Sequence, residues 1–135
     1  YGDADAALTY SQAPDYPRYN QASVKEMHRQ VGAQGLIIRH LVLPHGLSGT
    51  EQVMKFIAEE LGPEIPISLM SQYLPYHKAK EFPDISRRLL ESEYETAKQI
   101  MEKYGLHNGW VQESYGLERF AGVHIKPNLI KDGSE

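Results

Sequence analysis

The stretch Gly35-Leu36-Ile37-Ile38-Arg39-His40-Leu41-Val42-Leu43-Pro44 constrains the fold of this chain more than any other. It is a branched-aliphatic run of strand length, and both of its alternating sides are apolar except at Arg39 and His40. A strand with one wet face alternates apolar and polar residues. A parallel strand covered by helices reads instead as continuous Val, Ile and Leu. The run therefore predicts a parallel strand, buried on both faces.

The flanking segments fit that expectation. Upstream, Asp3 to Tyr10 can form a short helix, and Ala13-Pro14-Asp15-Tyr16-Pro17 breaks it and starts the next, since proline suits a first helical turn. Pro17 to Val31 follows as a helix with Val24, Met27, His28 and Val31 on one stripe, ended by Gly32 and Gly35. Downstream, Ser48-Gly49-Thr50-Glu51 has the form of a capping box and opens a helix whose apolar face is Val53, Met54, Phe56, Ile57 and Leu61. Gly62-Pro63 closes it. Ile65 to Tyr73 reads as a second strand with Pro66 near its start, where no ladder donor is needed. Pro75 and Pro83 bracket a loop. A second capping box, Ser92-Glu93-Tyr94-Glu95, opens a helix that buries Tyr94, Ala97, Ile100, Met101 and Tyr104 and stops at Gly105. Gly109 to Glu113 reads as a third, shorter strand.

Helices and strands alternating in this order predict an α/β fold of βα units laid side by side. Three parallel strands make a poor core alone, so the expected whole is a barrel or a larger open sheet of which this chain is a part. The exposed sheet edges and apolar face also predict a homo-oligomer if the chain stands by itself. Residues 1–114 are read as this α/β unit and residues 115–135 as a C-terminal extension. The chain begins at Tyr1 and not at methionine, so a preceding segment is expected.

Composition narrows function mainly by exclusion. With 135 residues, 41% of them hydrophobic, one domain with a real core is expected. The net charge of -4, with acids and bases interleaved, gives neither the basic stripe of a nucleic-acid binder nor a charged tail. The absence of cysteine excludes disulfides, thiolate zinc sites, cysteine nucleophiles and thiolate-held iron–sulfur clusters within these residues. No apolar run approaches the ~18 residues of a membrane span, and the first five residues are acidic where an export signal is basic. No membrane partner is expected, and a cytoplasmic location is.

In parallel α/β folds the working residues lie at the C-terminal ends of strands. That rule selects Arg39 to His45, Gln72 to His77, and then Gln112 and Glu113. A guanidinium inside an aliphatic strand needs a matched anion, so Arg39 is either a clamp on an anionic ligand group or half of an internal ion pair. His40, on the opposite side of the strand, is read as a structural residue packed under a helix. His77 follows Leu74-Pro75-Tyr76, where an imidazole could reach bound ligand or simply be solvated. Ser71, Gln72 and Tyr73 could orient substrate or satisfy neighbouring backbone. The six histidines form no helical pair, so no self-contained metal site is expected. Phosphate-loop, nucleophile-elbow and dinucleotide fingerprints are absent.

Several of these segments carry a family resemblance: Ile37-Ile38-Arg39-His40-Leu41-Val42-Leu43-Pro44, Gly49-Thr50 with Phe56-Ile57-Ala58-Glu59-Glu60-Leu61, and Leu69-Met70-Ser71-Gln72-Tyr73. Tyr1-Gly2-Asp3, Tyr10-Ser11, residues 25–32 and Asn108-Gly109-Trp110-Val111-Gln112-Glu113 extend it. The chain resembles radical S-adenosylmethionine proteins related to pyruvate formate-lyase activating enzyme. The resemblance implies a partial (β/α) TIM-type barrel with S-adenosylmethionine and a 4Fe-4S cluster at the C-terminal ends of its strands. The cluster's cysteines would belong to an N-terminal half that these residues do not include. It further implies cofactor contacts from Arg39, from the backbone of Leu41 and from His77. Gln72, Tyr73 and Gln112 would face a target protein with a glycyl radical site, or a small-molecule substrate. A non-catalytic α/β binding or assembly domain is the alternative.

Overall fold

The computed structural model of the protein describes residues 1–111. Asp3 sits in extended conformation, and its carboxylate accepts from the Ala6 N–H at 2.8 Å. This cap opens helix α1 (Ala4–Ser11), and Gln12 ends it in the left-handed region. Helix α2 (Tyr16–Val31) starts with Pro17 in its first turn and stops at Gly32, as the prolines and glycines require. A 3₁₀ turn (Ala33–Gly35) then delivers the chain to strand β1 (Ile38–Leu41).

Helix α3 (Thr50–Phe56) runs into a π-helical segment (Ile57–Leu61), where the Gly62 N–H reaches back to the Ile57 carbonyl at 2.9 Å. Strand β2 (Ile67–Met70), helix α4 (Glu91–Lys103) and strand β3 (Gly109–Val111) complete the described elements. Between β2 and α4 lie two short 3₁₀ segments, His77–Glu81 and Pro83–Ile85.

The three strands form one parallel sheet in the order β1-β2-β3. Ile38 pairs with Ile67 and Ile67 with Gly109, Arg39 with Ser68 and Ser68 with Trp110, and His40 with Leu69 and Leu69 with Val111. Because side chains alternate along a strand, these pairings sort the sheet into two faces. One face carries His40, Val42, Ile67 and Leu69, and α3, the π-helical segment and α4 cover it with Met54, Ile57, Tyr94, Ala97 and Met101. The Tyr94 hydroxyl donates to the Leu69 carbonyl at 3.0 Å and pins α4 to the central strand.

The other face differs from the sequence expectation of a sheet buried on both sides. Ile37 is 55%, Leu41 37% and Trp110 52% exposed, and Arg39 is exposed beside them. On the central strand the same side is closed, with Ser68 5% and Met70 8% exposed, so only the flanking strands meet solvent where the composition of β1 asks for a second layer. The α2 stripe shows the same lack. Val24 packs on the core, but Met27 and Val31 are exposed, and among the described residues β1 is an edge strand with no strand beyond it to receive them.

Both helix starts fall where expected, but their caps differ from the sequence reading. Gly49, not Ser48, is the N-cap of α3, and its left-handed φ of 67° lets the backbone of Gly2 lie against it. Ser48 turns its hydroxyl back to the Leu43 N–H at 3.3 Å. At α4 the cap is Leu90 and not Ser92. Glu93, third in the helix, accepts from the Leu90 N–H at 2.8 Å.

Candidate functional site

The C-terminal ends of β1 and β2 lead into loops at one end of the sheet, where parallel folds keep their working groups. After β1 the chain turns through Pro44–Gly46 with His45 at φ 57° and Gly46 at φ 67°, then Gly49 at φ 67°. A non-glycine residue in this region carries strain that its surroundings must hold. Glu93 does so here. Its carboxylate accepts from the His45 N–H at 2.8 Å and the Leu90 N–H at 2.8 Å, and it takes a two-point contact from Arg87 at 2.7 and 2.9 Å. The second Arg87 nitrogen also lies 3.1 Å from His45 Nε2. The Arg87 guanidinium and these backbone donors hold the Glu93 carboxyl down at about 2.

One carboxylate thus ties the loop after β1, the connector ahead of α4 and the first turn of α4 into a single clasp. Sequence reasoning set the capping box at Ser92 with Glu95 as its carboxylate, and so missed Glu93 as the capping residue and Arg87 and His45 as its partners. The third-position glutamate was the available signal; nothing in the spacing pointed to Arg87. Beside the clasp lies a recess of about 270 Å³, lined by His45, Gly46, Thr50, Glu51, Glu93 and Ile100 among others. Its carboxylates are already engaged, Glu93 as above and Glu51 by Lys103 at 2.6 Å and Tyr104 at 2.5 Å.

Beneath this loop His40 is 7% exposed, with Nε2 3.0 Å from the Thr50 hydroxyl. Burial pushes its imidazole down to about 4, so it is a neutral core residue at physiological pH, the structural role expected of it. Ser71 lies on the same face at the end of β2, and its buried hydroxyl has no hydrogen-bond partner among the described residues.

The residues singled out from sequence fall into three groups. Arg39 and Leu41 lie two apart on β1 and share the open face. No carboxylate pairs with Arg39 among the described residues, so the internal ion pair left open from sequence is not found there. At the end of β2, Gln72 and Tyr73 are half-buried, and the Tyr73 hydroxyl donates to the Ile85 carbonyl at 2.7 Å, which fastens the connector to the strand end. His77 is exposed and opens a 3₁₀ segment with φ 51°, strained as His45 is. Gln112, Glu113 and the extension 115–135 lie outside the described residues.

Among the described residues no group of three or more His, Cys, Asp or Glu is placed to hold a metal ion, and no helix is long and apolar enough to cross a membrane. Element order and pairing define an α/β protein, with a small parallel sheet and four α-helices among the described residues. Over 84 residues it is 43% identical to an uncharacterized protein of Methanocaldococcus jannaschii. That match takes in 62% of this chain and 25% of the relative, so the matched part spans about a quarter of that relative's length. No family model matches the chain, and no solved structure matches it.

Proposed function

We propose that this chain is part of the C-terminal half of a radical S-adenosylmethionine iron–sulfur enzyme of the pyruvate formate-lyase activating type, folded as a partial (β/α) barrel. The observation that carries the reading is the open sheet face with Arg39 on it. Strands in the sequential order β1-β2-β3, with both crossover helices on one side, are the arrangement that wraps a sheet into a barrel. The opposite side then becomes the interior. On that side stands a guanidinium with no carboxylate partner among the described residues, a fit for the carboxylate of an amino-acid-like cofactor.

The chain contains no cysteine, so the ligands of a 4Fe-4S cluster would come from a part of the polypeptide ahead of Tyr1. When bound, the cluster and S-adenosylmethionine supply a 5′-deoxyadenosyl radical for hydrogen abstraction. The residues described here would bind and orient. Arg39 would hold the carboxylate, the Leu41 backbone would border it, and the clasped loop 44–49 and the strand end at Gln72 and Tyr73 would shape the mouth. His77 would lie at its margin. Gln112, outside the described residues, is assigned to the substrate side by its sequence position toward the end of the third predicted strand. The target is a glycyl radical protein or a small molecule, and a cytoplasmic setting suits the oxygen-sensitive chemistry.

The open face supports a second reading, a non-catalytic α/β assembly domain whose apolar side docks a partner. Replacing Arg39 with Leu in a polypeptide extended upstream of Tyr1 separates the two. The enzyme reading expects S-adenosylmethionine binding to weaken by a factor of about 10 or more, because a charged hydrogen-bonded contact is lost. Unchanged binding together with equal or greater stability would favour the assembly domain.

A further inference from the structure

Three buried polar side chains meet in a row under the loop that follows β1. Ser48, Thr50 and His40 are 3%, 5% and 7% exposed. The Leu43 N–H donates to Ser48 Oγ at 3.3 Å, Ser48 Oγ lies 3.3 Å from Thr50 Oγ1, and Thr50 Oγ1 lies 3.0 Å from His40 Nε2. Among the described residues these side chains have no other hydrogen-bond partner, and the Leu43 N–H has none besides Ser48.

The row can run in only one direction without loss. Each hydroxyl has one proton to give, and a neutral imidazole has one donor and one acceptor nitrogen. If His40 donated from Nε2, Thr50 would pass its proton to Ser48, and the buried Ser48 proton would have no acceptor. If Ser48 donates to Thr50 and Thr50 to His40 Nε2, every hydroxyl proton is placed. A buried donor left unmade is costly, so the second direction holds, and the ring proton sits on Nδ1.

We propose that Leu43, Ser48, Thr50 and His40 form a one-directional relay that latches the loop after β1, and that adding a proton to His40 reverses the relay and frees the latch. A protonated imidazole donates from both nitrogens. Nε2–H then points at Thr50 Oγ1, the Thr50 hydroxyl turns to Ser48 Oγ, and the Ser48 proton is stranded. Turning Ser48 out to water relieves this and gives up the Leu43 N–H. His45 in the same loop is already strained at φ 57°, so the freed end lets it relax. The latch stands apart from the proposed function; on that reading, the loop it holds shapes the mouth of the site.

Few charges reach the ring. The amino terminus of Tyr1 acts on it and opposes protonation. On the elements packed around it, Glu51 is engaged by Lys103 and Tyr104, Glu93 by Arg87, and the Tyr94 hydroxyl by the Leu69 carbonyl. Arg39 lies on the opposite face. No carboxylate among the described residues stabilises the charged ring, so the added proton acts on the two hydroxyls.

Long-range proton–nitrogen correlation spectra of the unmodified 135-residue chain read the ring directly, with the His40 signals assigned by their loss in His40→Gln. At neutral pH the expected signature is a protonated Nδ1 and a bare Nε2. A neutral ring protonated at Nε2 would overturn the direction, and the latch with it. Hydrogen exchange at the Leu43 amide reads the other end. Its protection, corrected for intrinsic pH dependence, should fall by about tenfold as His40 titrates near 4. Thr50→Val keeps the side-chain shape without the hydroxyl and should give a similar fall at neutral pH, whereas Thr50→Ser should stay within about twofold of the parent. The Gly62 amide, which donates to the Ile57 carbonyl at the far end of the same helical stretch, should be unaffected. Leu43 protection that does not change with the His40 titration, or a loss matched at Gly62, would overturn the latch. None of these readings depends on turnover, so a failed enzyme assay in the longer polypeptide leaves them standing.

Discussion

Two residues from the same strand show how differently a sheet treats polar groups. His40 turns toward the helices, loses its charge to burial and spends a ring nitrogen on Thr50. Arg39, its neighbour, turns the other way and keeps its guanidinium in solvent. The histidine has a measurable consequence. An unfolded histidine titrates near 6.5, but folded His40 does so near 4, so between these values the unfolded chain takes up a proton that the folded chain refuses. Stability is therefore complete above the upper value, falls as pH is lowered through the window, and stops falling on this account below the lower one. Urea unfolding should show a His40-dependent loss of about 2 kcal/mol between pH 7 and 5, and His40→Gln should remove that slope. An identical slope in the variant would mean that His40 is not the buried neutral group described. The opposite facing of these two residues was legible in the sequence from alternation alone. The solvent exposure of Arg39 was not, because an aliphatic strand implies a second covering layer that the described residues do not provide.

At the scale of elements, boundaries read from Pro, Gly and apolar spacing agree with the structure to within a few residues, because those signals act locally. The caps were misread where a side chain found a better partner than the nearest backbone. Ser48 serves Leu43, and Glu93 serves Leu90, His45 and Arg87 together. The clasp depends on residues 42 to 48 positions apart, from His45 to Arg87 and Glu93, and no short spacing pattern announces such a meeting. Because the folded Glu93 carboxyl keeps its charge down to about 2, its contribution is complete above the ordinary carboxylate value of 4.5 and is lost as pH falls toward 2. With 33% of the Arg87 and 18% of the Glu93 side chain exposed, that contribution is about 1–2 kcal/mol after solvent screening. Glu93→Gln should lower stability by this amount at neutral pH and flatten the acid limb. Hydrogen exchange at the Leu47 and Gly49 amides, which donate to Pro44 and Gly46, should quicken as the loop is released. Unchanged exchange at those amides would rule out the clasp.

For the molecule as a whole, the alternation of helix and strand made the parallel α/β architecture legible, and composition alone ruled out an internal thiolate cluster. The proposed barrel is not legible in these residues, since curvature and closure would depend on strands other than the three described. The proposal of a unit completed by more polypeptide rests on the exposed Ile37, Leu41 and Trp110 and on the position of β1 at the edge of the described sheet. The most direct test is the amount of 5′-deoxyadenosine formed by the polypeptide extended upstream of Tyr1, reconstituted with iron and sulfide without oxygen and supplied with a reductant and S-adenosylmethionine. The account predicts reductant-dependent product that falls by about tenfold or more in Arg39→Gln at equal iron content and subsaturating S-adenosylmethionine. A fully iron-loaded protein that yields no product, or a variant as active as its parent, would contradict it.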